Sequence, residues 1–278
     1  MSILTALVFG FVQGLTEYVP VSSSGHLQVL FSLFGINGTG FNTEAFSAFA
    51  HLGTVIAALI LYFKEFGEIF FQSLEFAAST GVPEGRSRIR FPAVRLLIMI
   101  FFASVPLLLI LPLNGYIDSL SNNTAFIGIM LILTGTILAI SDRLQEGGKA
   151  GGSVNISDAI IIGLCQAVSA LPGISRTGTV YTAGVAVGLE RGFSAKFTVM
   201  LSVPVMFVAS IVRLIKAASV NFSWVDLGPC FAGMAASVLG GILAIRLFIR
   251  LVQSRRFRNV GYYCWVAGVL SIILTMIF

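Results

Sequence analysis

The sequence predicts an all-α polytopic membrane protein, with six transmembrane helices and two re-entrant broken-helix pairs arranged as an inverted-topology repeat. Three observations carry that expectation. Hydrophobic residues fill 56% of 278 positions and charged residues only 10%, whereas a soluble domain carries about a quarter charged residues. A chain this poor in charge cannot solvate its outer surface in water, so its solvent must be lipid. Two further apolar regions are broken by Pro, Gly and Ser, and the two halves of the chain align with those breaks superposed.

A spanning helix needs about 20 apolar residues. Six stretches qualify: 45–63, 96–113 and 124–141 in the first half, and 196–215, 227–249 and 259–277 in the second. Residues 3–34 are interrupted around Tyr18–Gly25, and residues 157–190 around Leu171–Gly178. Neither region reads as one uninterrupted helix. Two half-helices folded back on themselves suit each better. Irregular backbone at membrane depth is tolerated only where protein or a polar cavity covers it, so both breaks point to a site.

The chain reads as a single membrane domain, 1–278, built from a first repeat (1–141) and a second (157–278). An offset of 153 pairs Gly10 with Gly163, Gln13 with Gln166, Thr16 with Ser169, Ser22 with Ser175, Ser24 with Thr177 and Gly25 with Gly178. An offset of 152 brings Lys64 onto Lys216. Each half then holds one re-entrant pair and three spans, and an odd number of crossings inverts the second copy.

The net charge of +5 comes mostly from 13 arginines gathered at segment ends. That suits anchoring at an anionic leaflet and does not suit nucleic-acid binding, which needs a basic face on exposed loops. Lys64, Arg86, Arg88, Arg90 and Arg95 mark one loop as cytoplasmic, and Arg250, Arg255, Arg256 and Arg258 mark another. The connection Asn114–Thr124 has no Lys or Arg and is expected outside, as are both termini. The 142–156 loop then falls inside. Arg213 and Lys216, at the outer end of their span, run mildly against the rule. The N-terminal segment lacks a basic n-region and reads as mature structure. Cys165, Cys230 and Cys264 lie in apolar runs without metal-ligand spacing, so neither a disulfide nor a zinc site is expected.

Ionisable groups inside apolar segments usually face a cavity. Here they are few. The first break holds Gln13, Glu17, Ser22, Ser23, Ser24, Gly25 and His26; the second holds Ser169, Ser175, Arg176 and Thr177; His51 lies in the first span. Gln13 and Glu17, four apart, share a helix face. Glu17 can bind a cation or accept a proton, or serve only as a partner for Arg176 across the repeat interface. Arg176 offers a planar fork for phosphate just before a half-helix whose free N–H groups favour an anion. One serine is enough to cap a helix. Three in a row leave at least one free to contact substrate or attack phosphorus. His26 adjoins the first break and is expected to matter more than His51. An acid, a histidine, hydroxyls, an arginine and two helix starts are the parts of phosphoryl transfer. They could also hold a phosphorylated lipid for transport without cleaving it.

The segments QGLTEYVPVSSSGH (Gln13–His26) and PGISRTGT (Pro172–Thr179) resemble the two signatures of the undecaprenyl-diphosphate phosphatase family, the bacitracin-resistance type. The likeness extends in order along nearly the whole chain, through Phe49–Thr54 and Leu201–Val205. It implies removal of the terminal phosphate from a polyprenyl diphosphate, giving the monophosphate carrier for envelope glycan assembly. It further implies a plasma-membrane location, a site open to the outer face and a divalent cation (Mg²⁺ or Ca²⁺). The residues it implies as catalytic are Glu17 (also the metal ligand), Ser23, His26 and Arg176, with the nucleophile left open between Ser23, His26 and water. Gln13, Ser22, Ser24, His51, Ser175 and Thr177 are expected around the substrate. Oligomeric state stays open, a homo-oligomer included. Two departures stand out. Gln13 supplies no second carboxylate, and Thr177 and Val180 replace Ser and Thr of the commoner second signature.

Overall fold

The computed structural model describes residues 1–36, 42–78, 91–121, 123–219 and 226–277. Its described residues form twelve α-helices and no strand. In chain order they are α1 (Ile3–Tyr18), α2 (Ser23–Leu33), α3 (Thr43–Leu61), α4 (Phe63–Ala78), α5 (Pro92–Ser104), α6 (Asn114–Ser121), α7 (Thr124–Ser141), α8 (Ile156–Val168), α9 (Arg176–Ala186), α10 (Arg191–Ser219), α11 (Leu227–Ser254) and α12 (Phe257–Ile277). Among the described residues, five segments are long and apolar enough to cross a membrane: Thr43–Leu61, Pro92–Ile110, Thr124–Ser141, Arg191–Ser219 and Leu227–Ser254. The sixth expected stretch is helical as α12. This is a multi-pass membrane protein.

Both breaks fall where Pro, Gly and Ser concentrate. Between α1 and α2 the chain turns through Val19–Ser22, and Ser22 adopts φ 70°, a left-handed conformation rare for a residue with a side chain. Such strain persists only where the surroundings over-determine it, and it concentrates at functional sites. Between α8 and α9 the turn is made by Gly173 at φ 97°, where glycine carries no Cβ penalty.

Two features were not foreseen. The second span stops being α-helical at Ser104 and continues as a 3₁₀ segment, Val105–Leu113. Pro106 and Pro112 remove backbone donors there, which breaks the α ladder. The loop after the first span also begins with a 16-residue helix, α4, whose buried Ile69 is its only fully packed side chain. Arg86, Arg88 and Arg90, used to orient the chain, lie outside the described residues.

Small residues bring the helices together, because lipid offers no hydrophobic drive for helix association. A Cβ on Gly10 of α1 would lie 2.0 Å from the Gly233 carbonyl oxygen of α11, and one on Gly14 would lie 2.3 Å from that of Ser237. On α8, Gly163 meets the Ala103 carbonyl of α5 in the same way. α7 and α12 approach through Gly128 against Gly268 and Gly135 against Gly261. These contacts hold α1 on α11 and α8 on α5, and so set both breaks facing the α3/α10 pair. All three cysteines are free thiols.

Candidate active site

α1 ends by placing Glu17 beside the first break with its side chain almost fully buried. Its Oε2 accepts a hydrogen bond from Ser23 Oγ at 2.6 Å and another from Gln13 Nε2 at 3.0 Å. The first bond exists because the turn at Ser22 folds α2 back over α1, bringing residue 23 within reach of residue 17. Thr177 Oγ1 on α9 donates to the Glu17 carbonyl at 2.7 Å, so the second break is tied directly to the first. Arg176 Nη1 lies 4.0 Å from Glu17 Oε1. Its Nη1 and Nε are buried with no hydrogen-bond partner. Buried donors of this kind normally have one, so the guanidinium is poised for an anion.

His51 reaches the same cluster from α3. Its Nδ1 lies 2.6 Å from the Ser47 carbonyl oxygen, so Nδ1 carries the proton and donates. The bare Nε2 then accepts from Gln13 Nε2 at 3.3 Å and sits 3.8 Å from Glu17 Oε2. Gln13 thus spends its two amide hydrogens on Glu17 and His51, leaving Oε1 buried without a partner.

An inner cavity of ≈ 100 Å³ is lined by Glu17, Ser22, Ser23, Ser24, His51, Ser169, Ser175, Arg176 and Arg213, among others. A wider one of ≈ 290 Å³ adjoins it and shares Ser24, His51 and Arg213. Gln13, Leu27, Phe31, Glu44, Ser121 and Lys216 are among the other residues that line the outer cavity. Ser175 spends its hydroxyl as a cap on the Gly178 N–H at 3.2 Å. Thr177 is buried on the Glu17 carbonyl and does not line the inner cavity.

The expectation that His26 would share this chamber is corrected. His26 lines neither cavity. Its Nδ1–H donates to the Ser22 carbonyl at 2.8 Å, and its Nε2 accepts from Tyr263 Oη at 2.7 Å. With both nitrogens engaged, the neutral ring has no site left for a substrate proton. It stacks on Tyr263 with ring centroids 5.7 Å apart, pinning α2 to α12. Tertiary packing explains the miss: the ring turns toward α12, where Tyr263 engages it, and not toward Glu17. The sequence reading also left out Arg213 as a site residue, having weighed it only for topology. Its signal was the spacing Ala209, Arg213, Lys216, which puts both cations on one face of α10.

The combination defines a class: a multi-pass helical membrane protein with a hydroxyl–carboxylate pair and an arginine whose Nε and Nη1 have no hydrogen-bond partner in one buried polar cavity. The family follows. Residues 6–270 match the model described as Bacitracin resistance protein BacA, and the chain belongs to that family. It is 35% identical over 277 residues to an undecaprenyl-diphosphatase of Methanobrevibacter smithii, covering 97% of this chain and 96% of the relative. It is 34% identical over 276 residues to one of Desulforapulum autotrophicum, covering 98% of each. An undecaprenyl-diphosphatase of Methanosphaera stadtmanae is 30% identical across all of this chain and 99% of the relative.

Proposed function

We propose that the chain is an undecaprenyl-diphosphate phosphatase that hydrolyses the terminal phosphate in the inner cavity. The observation that carries the reading is the Ser23–Glu17 hydrogen bond beside the Arg176 guanidinium, whose Nε and Nη1 have no hydrogen-bond partner. Glu17 takes the Ser23 proton as Oγ attacks the terminal phosphorus. The bond from that phosphorus to the bridging oxygen breaks, and the lipid monophosphate leaves carrying the electron pair. Arg176 and the N-terminus of α9, which begins in the cavity wall, neutralise charge gathering on the equatorial oxygens. Glu17 passes the Ser23 proton to the departing monophosphate; water then attacks the phosphoserine, and Glu17 takes the water's proton and returns it to Ser23 Oγ as the bond from phosphorus to Oγ breaks, releasing inorganic phosphate. Carriage of an intact lipid would need an anchor but no hydroxyl–carboxylate pair, so the lining favours hydrolysis.

A divalent cation fits the donor set in part. Glu17 Oε1 and the unpartnered Gln13 Oε1 are hard oxygen ligands, and Mg²⁺ commonly takes one or two carboxylates and completes its shell with substrate phosphate and water. Among the described residues no cluster of three or more His, Cys, Asp or Glu could hold a metal unaided, so substrate oxygens would have to contribute. Bound there, the cation would supply charge neutralisation at the diphosphate.

The outer cavity's lining supports an opening to the external face of the plasma membrane. It includes Ser121, from the connection that charge counting puts outside. The inverted repeat, 1–141 against 157–278, is supported by matched close approaches: Gly10 and Gly163, paired by the offset of 153, each rest on a helix carbonyl in the other half. Phosphate release from undecaprenyl diphosphate by the purified protein in detergent tests the activity. Leaflet-to-leaflet lipid movement in vesicles without any release would overturn it in favour of transport.

A further inference from the structure

We infer that Arg213 holds the phosphate that stays with the lipid, and that Glu44 is the counter-anion it gives up when the diphosphate enters. This rests on the phosphatase reading and extends it to how the head group is recognised. Arg213 stands with Ser24 and His51 at the boundary of the two cavities, whereas Ser23, Glu17 and Arg176 line the inner one only. A terminal phosphate presented to Ser23 puts the next phosphate at that boundary. The lipid then continues past Leu27 and Phe31, which offer apolar surface in the outer cavity.

Charge demands a second cation. Glu17 and Arg176 offset each other, so apart from Arg213 the inner cavity's lining carries no net charge, and an anion with several charges is costly to desolvate without compensating cations. Arg213 is built to be borrowed. Its Nη1 donates to Glu44 Oε2 at 2.7 Å, and the two side chains are 36% and 42% exposed. So exposed a pair is weak. Phosphate in place of carboxylate offers the guanidinium a bidentate, more highly charged partner. Lys216, three residues on and on the same helix face, lines the outer cavity and adds positive potential at the entrance.

The purified full chain, assayed in detergent with undecaprenyl diphosphate, tests this. Arg213→Ala is expected to raise KM roughly tenfold while changing kcat less than about threefold, with Arg213→Lys intermediate. Glu44→Gln frees the guanidinium and is expected to lower KM. Inhibition by undecaprenyl monophosphate should weaken in Arg213→Ala, whereas inhibition by inorganic phosphate should not. Lys196→Ala is the control: its 3.3 Å ion pair with Glu65 also ties α10 to the first half of the chain, and its loss should leave KM unchanged. An unchanged KM in Arg213→Ala overturns the inference. So does a Glu44→Gln variant whose KM rises with it, which would make the pair a brace, or equal weakening by both products. Absence of phosphate release by the unaltered protein would instead sink the phosphatase reading, so the two failures are distinct.

Discussion

Ser23 Oγ lies 2.6 Å from Glu17 Oε2, a short bond between two nearly buried groups that belong to different half-helices. Its shortness marks a charge-assisted bond with the hydroxyl as donor. That polarity is the one a nucleophilic serine needs. Ser23→Ala should lower kcat by at least about a thousandfold, and Glu17→Gln by roughly a hundredfold or more. Radiolabelled phosphate release measures both. Glu17→Gln should also accumulate less of an acid-quenchable phosphoenzyme. Retention of most activity in Ser23→Ala would shift the nucleophile to water.

The two histidines should separate by kind of effect. His51 touches the Gln13–Glu17 pair, so His51→Ala should reduce kcat by about tenfold with little loss of thermal stability. His26 joins α2 to α12 through Tyr263. Its replacement by alanine should lower the melting temperature in detergent by a few degrees, since a lost hydrogen bond costs about 1 kcal/mol. Tyr263→Phe should reproduce most of that shift, and the double variant should add little beyond it. Equal kcat losses in His26→Ala and His51→Ala would contradict the separation.

How much of this was readable beforehand follows from what each signal depends on. The breaks at Ser22 and Gly173 were legible because proline and glycine act locally. Gln13 beside Glu17 was legible because helical spacing alone sets it. His26 was misplaced because its direction depends on where α2 starts, and a shift of one residue rotates a side chain by about 100°. Tyr263 could not be foreseen as its partner, since 237 positions separate them and only tertiary packing joins them. Arg213 was visible as a charge out of place, but its link to Glu44, 169 positions away, is likewise a product of the α3/α10 packing.

The cation question turns on Gln13. Chelation by EDTA should lower phosphate release, and Mg²⁺ or Ca²⁺ should restore it. Gln13→Glu would set a second carboxylate beside Glu17, where Gln13 Nε2 now lies 3.0 Å from Oε2. Two adjacent carboxylates repel unless a cation lies between them. The variant should therefore need less divalent metal for half-maximal activity and fall further below the unaltered protein when metal is stripped. Identical metal titrations for the two would remove residue 13 from the metal site.

Thr177 tests whether the two breaks act as one unit. Its hydroxyl donates to the Glu17 backbone carbonyl at 2.7 Å, and the neighbouring residue is Arg176, so one hydrogen bond fixes the base relative to the arginine. Thr177→Val keeps the shape and removes the donor. A buried carbonyl left without a partner costs about 1–3 kcal/mol. Part of that should appear as lost stability, and part as a kcat lowered several-fold by looser alignment, since small misplacements at a reacting centre are costly. Thr177→Ser retains the donor and should keep most of the activity. If Thr177→Val and Thr177→Ser lose kcat equally, packing of the methyl is what matters there, and the hydrogen bond between the halves does not position the base.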